Sequence, residues 1–431
     1  MGLPKSSFKA FAPFKESTFR SLWLGSFVSN IGTWMQNIGV SWLAATMSSS
    51  PLLISLVQVA SSLPSLFLSY PAGVISDHCN RRKLLIWLQI FLFVTLMILS
   101  LLTQLHLLNI TVLIFFTFLV GIGSACSTPI WQAITPEVVT TENMKNAIAM
   151  NGVSFNLSRA IGPAIGGIVL TVGGIQYIFL FNAISYLALV AGLYQWKTAQ
   201  SAINGAGFKK SYQEGLHAVS QSGSFRQLII RTLVFTAFVS VVFALLPHLS
   251  KYEWHQNGMQ YTMLWIWLGT GALAGSVFYN FVTDRFRSFQ IIAGSCAALG
   301  ICIFLLGLRS DGIELALIMF MTGGFWIWTT STLNIMAQLY SPQVFKGRFL
   351  AVNVTVFQGS IALFSVIWGY VSNITGTQEI MKIAGAGMLA AGLALLFLPM
   401  ADTLSPVSGN IACSEPLLSI TDKTEPEINV A

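Results

Sequence analysis

Charged residues are scarce in this chain of 431 residues. Only 9% of them are charged, 22 basic and 15 acidic, whereas about a quarter are charged in an ordinary soluble domain. A soluble fold of this length could not cover its surface with so few charges, and 54% of the residues are hydrophobic. The composition therefore excludes soluble enzymes, disordered chains, collagens and disulfide scaffolds, and it indicates a polytopic integral membrane protein.

Several chemical signatures are also missing. The five cysteines form no C-x-x-C pair, and His248, Glu253 and His255 match no zinc spacing, so we expect neither a disulfide nor a metal site. No Walker motif and no nucleophile–base arrangement occurs, which argues against an ATP-driven pump and against an enzyme, and no cofactor is expected. The basic residues are spread over short segments, so they indicate membrane topology rather than binding of nucleic acid.

Long apolar runs fill most of the chain. A bilayer core requires about 20 apolar residues per helix. Twelve stretches satisfy this requirement: 22–46, 51–75, 83–104, 110–134, 148–172, 175–196, 227–250, 261–283, 288–309, 313–338, 348–373 and 380–400.

The longest polar segment between these stretches, 197–226, divides them six and six. We therefore predict two six-helix bundles, 22–196 and 227–400, joined by a cytoplasmic loop. Residues 1–21 form a cytoplasmic N-terminal segment, and 401–431 form a polar, disordered cytoplasmic tail.

The placement of basic residues tests this count. If the N-terminus is cytoplasmic, 18 of the 22 Lys and Arg residues fall on that side and 3 on the other. Such a split is typical of the positive-inside rule, and one missed helix would invert half of it. The sequence thus predicts a multi-pass protein of the inner (cytoplasmic) membrane with both termini in the cytoplasm.

The two halves of the chain resemble each other. Asp77 and Asp284, each following an even-numbered stretch, are 207 residues apart, and Pro136 and Pro342 are 206 apart. Both pairs lie on the predicted cytoplasmic side, so the halves have the same orientation. Parallel six-helix pseudo-repeats are typical of transporters whose halves rock about a site near the membrane midplane.

A motif after the second stretch carries a family resemblance. Residues 73–83, GVISDHCNRRK, resemble the loop 2–3 motif G-x-x-x-D-R-x-G-R-R/K of the major facilitator superfamily, with His78 and Asn80 as departures. The resemblance implies the major facilitator fold and a gate, in which the aspartate braces the neighbouring half near the start of stretch 348–373. Alternatively, the basic cluster only fixes topology. The residues assigned to gating are Gly73, Asp77, Arg81, Arg82, Asp284, Arg285 and Arg348.

A second motif lies in the fifth stretch. Gly162-Pro163-Ala-Ile-Gly166-Gly167 matches the G-P-x-x-G-G of the superfamily's antiporter motif, which implies export. Glycines at this spacing also permit close helix packing, and the proline can bend the helix, so packing alone is the alternative. Segments 19–43, 136–167 and 346–348 more closely resemble the subgroup of the enterobactin exporter and related transmembrane secretion effectors.

One charge lies within a predicted span. Arg159 stands about eleven residues into the fifth stretch, where a charge costs at least about 2.5 kcal/mol, so it should face the interior. It either binds an anionic or polar substrate group or pairs with nearby carbonyls and amides. Polar and aromatic residues within the spans extend the predicted cavity: Asn30, Trp34, Gln36, Gln132, Asn156, Trp326 and Gln358.

An intramembrane acid is missing. Proton antiporters usually use a membrane carboxylate, yet all fifteen carboxylates lie in loops, tails or span edges. Glu314, Glu253 and His248 remain as proton sites, with Asp77 of the gate. Proton coupling therefore follows from the family resemblance alone.

The sequence predicts a secondary active transporter that exports a small amphipathic or anionic molecule from the cytoplasm by rocker-switch alternating access. A siderophore-like substrate is favoured and a drug-like range comes next. The same fold importing a nutrient is the first alternative, and a membrane enzyme or flippase is the second. Expected partners are the substrate, the lipid bilayer and protons, and the protein is expected to act as a monomer.

Overall fold

The computed structural model describes residues 12–196, 208–308, 312–342 and 346–398, and these residues form helices joined by short turns. Short helical turns cover Ala12–Lys15, Thr141–Asn143 and Leu249–Glu253. The α-helices of the described residues are α1 (Ser17–Met47), α2 (Pro51–His78), α3 (Arg81–Gln104), α4 (Ile110–Val138), α5 (Met144–Val172), α6 (Ile175–Gln195), α7 (Phe208–Gln221), α8 (Gly223–His248), α9 (Gly258–Thr283), α10 (Ser288–Leu306), α11 (Gly312–Leu339), α12 (Lys346–Thr375) and α13 (Thr377–Leu396).

Eleven of these helices are long and apolar enough to cross a membrane, so the prediction of an all-α membrane protein is confirmed. They are α2–α6 and α8–α13. The remaining predicted stretch, 22–46, lies inside α1, which has 31 residues but falls outside the eleven. Its polar side chains, such as Asn30 and Gln36, lower its hydropathy.

Local sequence signals set several helix starts. Asn80 and Asn109 accept a hydrogen bond from the backbone N–H three residues on, as N-caps do. Gly174 and Gly376 precede α6 and α13 with φ of +96° and +91°. A side chain would strain the backbone there, and the two glycines occupy corresponding places in the two halves of the chain.

The helices alternate in direction, which gives the bundle two ends. We call the end that holds residues 79–80, 139–143 and 284–287 the near end, and the end that holds 48–50, 173–174 and 249–257 the far end. Helix α1 begins at the near end.

Helices pair in the same way in both halves. In α1–α6, α2 packs on α4 and α3 packs on α6; in α8–α13, α9 packs on α11 and α10 packs on α13. The halves meet where α2 packs on α12 and α5 packs on α9.

Glycines allow the α2–α12 contact to be close. A Cβ atom at Gly73 would lie 3.3 Å from the Ala351 Cβ, and one at Gly369 would clash with the Ser55 Oγ. The first contact is near one end of α2 and the second is near the other, so this interface runs along most of the helix.

The predicted central loop, 197–226, contains a helix. Residues 197–207 lie outside the described part of the chain, whereas α7 occupies Phe208–Gln221 and α8 begins at Gly223. Helix α7 contacts α2 and α12 at the near end, where the Tyr70 hydroxyl donates to the Tyr212 carbonyl at 2.9 Å. Of the predicted N-terminal segment 1–21, residues 1–11 lie outside the described part of the chain, whereas Ala12–Lys15 form a short turn and α1 begins at Ser17. The predicted tail 401–431 also lies outside the described residues.

Candidate substrate site between the two halves

The backbone around Arg159 is enclosed on two sides. A Cβ atom at Gly162 would lie 2.6 Å from the Trp34 Cβ on α1, and one at Gly269 on α9 would lie 3.0 Å from the Arg159 carbonyl oxygen. Pro163 has no N–H, so the Arg159 carbonyl, four residues earlier, lacks its helical hydrogen bond. These contacts hold Arg159 between a helix of its own half and a helix of the other.

The Arg159 side chain joins the two halves. It is 2% exposed, and its Cζ lies 5.3 Å from the Trp34 ring centroid and 4.9 Å from the Trp326 ring centroid. Trp34 belongs to α1 and Trp326 to α11, so one ring comes from each half. Both distances are within the roughly 6 Å over which a cation is attracted to a ring.

Two guanidinium nitrogens of Arg159 lack hydrogen-bond partners. Nε and Nη2 are buried and reach no acceptor among the described residues. Each unsatisfied buried group costs about 1–3 kcal/mol, and more when it is charged. Every carboxylate whose side chain the structure describes lies at a helix end, in a turn or on α7. The unpaired donors therefore suit an anionic oxygen of a ligand.

Aromatic rings of the second half surround Trp326. Its ring centroid lies 5.2 Å from that of Phe235, 5.1 Å from that of Phe243 and 6.4 Å from that of Phe357. Such rings offer a large apolar surface with preferred edge and offset contacts. Sequence reasoning missed these phenylalanines, because nothing in an apolar span distinguishes a cavity-lining ring from one that faces lipid.

Asn156 lies one helical turn before Arg159. Its Nδ2 donates to the Gly152 carbonyl at 3.0 Å, and its Oδ1 is buried without a partner among the described residues. Residues three apart share a helix face, so Asn156 and Arg159 lie on the same face of α5.

The other predicted cavity residues are distributed more widely. Asn30 is half-buried one turn before Trp34, Gln358 is half-buried beside Phe357, and Gln132 is exposed on α4. Gln36 is instead buried against α6, where its Oε1 accepts from the Asn182 Nδ2 at 2.5 Å.

The glycines of the predicted antiporter motif face two different helices. Gly162 and Gly166 lie against α1, with a Cβ atom at Gly166 3.3 Å from the Met35 Cα. Gly167 lies against the other half, where its Cβ atom would be 2.6 Å from the Thr262 Cγ2 on α9.

Two near-end basic residues, Arg81 and Arg82, contact groups of their own half. Arg81 forms an ion pair with Glu137 of α4, and its Nε donates to the Ser76 carbonyl at 3.0 Å. Arg82 donates to the Tyr194 carbonyl at 2.8 Å. These contacts fasten the start of α3 to α2, α4 and α6.

The other residues predicted to form a gate lie at the near end as well. Gly73 contacts Ala351 of the other half, and Arg348 lies against Gly215 of α7. Asp284 is exposed at the end of α9, and the Arg285 guanidinium lies 4.0 Å from the Phe281 ring centroid. The Asp77 side chain lies outside the described part of the structure.

Three of the four predicted proton sites, Glu314, Glu253 and His248, lie at the far end. Glu314 is exposed in the first turn of α11, and Glu253 is half-buried at the end of the short turn after α8. His248 is buried, with its Nε2 3.1 Å from the Ser49 carbonyl oxygen of the other half.

Known proteins resemble this chain over most of its length. It is 25% identical to the staphyloferrin A transporter of Staphylococcus aureus, over 86% of this chain and 94% of that protein. It is 23% identical to the multidrug efflux pump Tap of Mycolicibacterium fortuitum, over 84% and 91%. It is 22% identical to the enterobactin exporter EntS of Citrobacter koseri, over 88% and 91%.

Solved transporter structures share the fold. The crystal structure of a mutant of the nucleoside transporter NupG superposes with a TM-score of 0.71 at 11% identity, covering 88% of this chain and 99% of that one. That of a D-xylose–proton symporter superposes with a TM-score of 0.69 at 15% identity, covering 87% and 96%. The relatives and structural neighbours are transporters rather than enzymes.

The family model described as "Transmembrane secretion effector" matches residues 8–426. This range covers the site around Arg159 and both motifs of the sequence. The chain is therefore a multi-pass transporter of the major facilitator superfamily, and it belongs to the transmembrane secretion effector family.

Proposed function

We propose that this transporter exports a small amphipathic or anionic molecule from the cytoplasm. The observation that carries the proposal is the buried Arg159 guanidinium between Trp34 and Trp326, with Nε and Nη2 unpaired. A ligand carboxylate or phenolate would accept charge-assisted hydrogen bonds from these nitrogens. The aromatic rings around Trp326 would contact the apolar part of the same ligand.

Relatives named for siderophores and drugs support this substrate range. The staphyloferrin A transporter and the enterobactin exporter favour a siderophore-like substrate, and the multidrug pump Tap makes a drug-like one the second choice. An anion site favours the first, because a cationic drug would be repelled by Arg159.

The proposed mechanism is rocking of two parallel six-helix repeats, α1–α6 and α8–α13. Equivalent helix pairs in the two halves support the repeat, and α1, which packs on α5 and α6, counts as the twelfth span. Arg159 touches rings of both halves, so movement of one half against the other would change its contacts. A site between moving halves is what alternating access requires.

The near end is proposed to face the cytoplasm. Basic residues are concentrated there, as the positive-inside rule expects: Lys15, Arg20, Arg81, Arg82, Lys83, Arg226, Arg231, Arg285, Arg287, Lys346 and Arg348. The far end carries Lys251 and Lys382. Both termini would then be cytoplasmic, and the protein would act as a monomer.

Two structural features would couple movement of the two halves to the substrate site. The Arg81–Glu137 and Arg82–Tyr194 contacts make the near end of the first half one unit, which meets the second half where Gly73 contacts Ala351. Asp77, Asp284, Arg285 and Arg348 complete the proposed gate.

The second feature is a bend in α5. Pro163 leaves the Arg159 carbonyl without its helical hydrogen bond, while Gly162 and Gly166 allow α1 to pack closely on α5. A bend of α5 at this point would therefore move the Arg159 guanidinium.

Proton exchange is proposed to drive export. At the far end, Glu314 is exposed and Glu253 is half-buried, whereas His248 is buried between the halves. A buried group that contacts both halves is the one whose protonation can depend on their arrangement.

Efflux from loaded, energised cells tests the proposal. Export of an iron-free siderophore and of a cationic dye is compared in wild type, Arg159→Lys and Arg159→Met at equal membrane abundance. We expect Arg159→Met to lose siderophore export at least about tenfold, because a charged hydrogen bond is worth about 1.5–3 kcal/mol, and Arg159→Lys to retain part of it. Equal loss of export of both substrates would indicate that Arg159 serves the movement of the halves rather than substrate binding. Uptake instead of efflux by wild type would favour the importer.

A further inference from the structure

One face of α5 becomes more buried from the near end towards the middle of the bundle. Ile148, in the second turn of α5, is 45% exposed, and a Cβ atom at Gly152 would have nothing within 4 Å. Asn156 is half-buried, and Arg159 is 2% exposed. These residues are three or four positions apart along the helix, so they lie on one face. That face is therefore open at the near end, and Arg159 marks its inner end.

A different face of α5 meets the surroundings of the bundle. Ile168 and Val172 are 59% and 85% exposed, and both lie about half a turn around the helix from Arg159. Arg159 itself lies between Trp34 and Trp326. The open end of the Arg159 face is thus directed to the space between the halves, and a ligand can reach Arg159 along it from the near end.

The Asn156 side chain contributes a hydrogen-bond acceptor to this face. Its Nδ2 donates to the Gly152 carbonyl at 3.0 Å. A carbonyl only accepts hydrogen bonds, so this contact fixes which end of the amide is the nitrogen. The Oδ1 is buried and has no partner among the residues that the structure describes. The unpaired group of Asn156 is therefore an acceptor.

Arg159 and Asn156 leave complementary groups unpaired. Within the described part of the chain, the Arg159 Nε and Nη2 are donors without an acceptor, and the Asn156 Oδ1 is an acceptor without a donor. The two residues are about one helical turn apart, yet these atoms do not bond to each other. A ligand that carries both an accepting oxygen and a donating hydroxyl group would satisfy both residues.

We propose that Asn156 determines specificity by accepting a hydrogen bond from a hydroxyl group of a ligand whose anionic oxygen binds Arg159. This inference deepens the proposed function and rests on it. The substrate is then a hydroxylated organic acid, which binds with its acid group at Arg159 and its hydroxyl group closer to the near end. A neutral hydroxyl fits better than an ammonium group, because the Arg159 charge one turn away repels a cation.

The preference for a hydroxyl group has an energetic reason. A ligand bound on this face excludes water from the Asn156 Oδ1, so a ligand without a donor leaves a buried acceptor unpaired. A site built to hydrogen-bond a hydroxyl rejects the analogue that lacks it for this reason. We expect a hydroxylated acid to bind at least about tenfold more tightly than the same acid without the hydroxyl, a ratio that corresponds to about 1.4 kcal/mol.

Ligand-detected NMR titration of the full chain in lipid nanodiscs tests this expectation. The probes are benzoate, meta- and para-hydroxybenzoate, and the two corresponding methoxybenzoates. A methoxy group keeps the oxygen atom but donates no hydrogen bond. In wild type, at least one hydroxybenzoate should bind about tenfold more tightly than benzoate and than its own methoxy analogue. This comparison requires no variant, so it holds even if a substitution impairs folding.

Asn156→Leu is the matched variant, because leucine has a similar size and forms no side-chain hydrogen bond. We expect it to bind benzoate as wild type does and to lose the preference for the hydroxybenzoate. A purely structural role of Asn156 would instead change the affinity for all probes alike, as a double-mutant cycle with the hydroxyl group would reveal. Arg159→Met should lose binding of every probe.

Two results would overturn the inference: equal binding of hydroxybenzoates and methoxybenzoates by wild type, or a hydroxyl preference that persists in Asn156→Leu. Benzoate binding that depends on Arg159 would in both cases leave the proposed function standing. If wild type binds none of the probes, or if Arg159→Met binds them unchanged, the proposed anion site itself is contradicted and this inference with it.

Discussion

Gly162→Ala is expected to disturb the candidate site through one methyl group. The new Cβ would lie 2.6 Å from the Trp34 Cβ and 3.0 Å from the Ile31 carbonyl oxygen. Ordinary carbon–carbon contacts are about 3.5–4.0 Å, so α1 must retreat by about 1 Å. Neither neighbour is the end of a flexible side chain, and the backbone of α1 has to move.

The expected cost follows from this geometry. Overpacking of this kind destabilises a protein by about 1–3 kcal/mol. The retreat also carries the Trp34 ring away from the Arg159 guanidinium, where a desolvated cation–π contact is worth about 2 kcal/mol. We therefore expect a lower apparent melting temperature and at least about tenfold weaker ligand binding or transport.

The same helix offers a matched control. A Cβ atom at Gly152 would have nothing within 4 Å, and alanine is favoured over glycine inside a helix by about 0.5–1 kcal/mol. Gly152→Ala should therefore leave stability and binding unchanged or slightly improved. The assays are thermal unfolding monitored by size exclusion and ligand titration by tryptophan fluorescence in nanodiscs. Wild-type behaviour of Gly162→Ala in both assays would refute the reasoning.

Three further predictions concern packing away from the site. Gln36→Leu leaves the buried Asn182 Nδ2 without its acceptor, so thermal stability should fall by about 1–3 kcal/mol while ligand affinity stays unchanged; altered affinity at equal stability would place Gln36 in the cavity after all. Glu137→Gln breaks a partly exposed ion pair with Arg81 and leaves the Arg81–Ser76 hydrogen bond in place, so it should cost less than about 1 kcal/mol, and a larger shift in melting temperature would contradict this estimate. Gly369→Ala should prevent close packing of α12 on α2 and reduce the yield of folded protein, which a normal size-exclusion profile would disprove.

The helices were largely predictable from the sequence. Hydrophobic length marks each span, and caps such as Asn80 and Asn109 mark where some begin, because both signals act within a few residues of the chain. Arg159 could be placed in the interior for a similar reason: a charge in an apolar stretch is costly wherever lipid is the alternative.

The partners of each side chain depended on the tertiary structure. Gln36 and Trp34 lie on the same helix and both appeared to face a cavity, yet Gln36 pairs with Asn182 and Trp34 covers Arg159. Periodicity relates residues on one helix to each other but leaves open which neighbour that helix presents them to. The rotation and close approach of packed helices settle this.

His248 illustrates the same division. Its type and its position near a span end were visible in the sequence, so it could be considered a proton site. Its contacts with Ser49 and Thr377 join segments 199 and 129 residues away along the chain. The sequence alone determined a membrane bundle with one interior charge. Only packing, which brings distant segments into contact, decided which groups meet that charge and which bonds join the two halves.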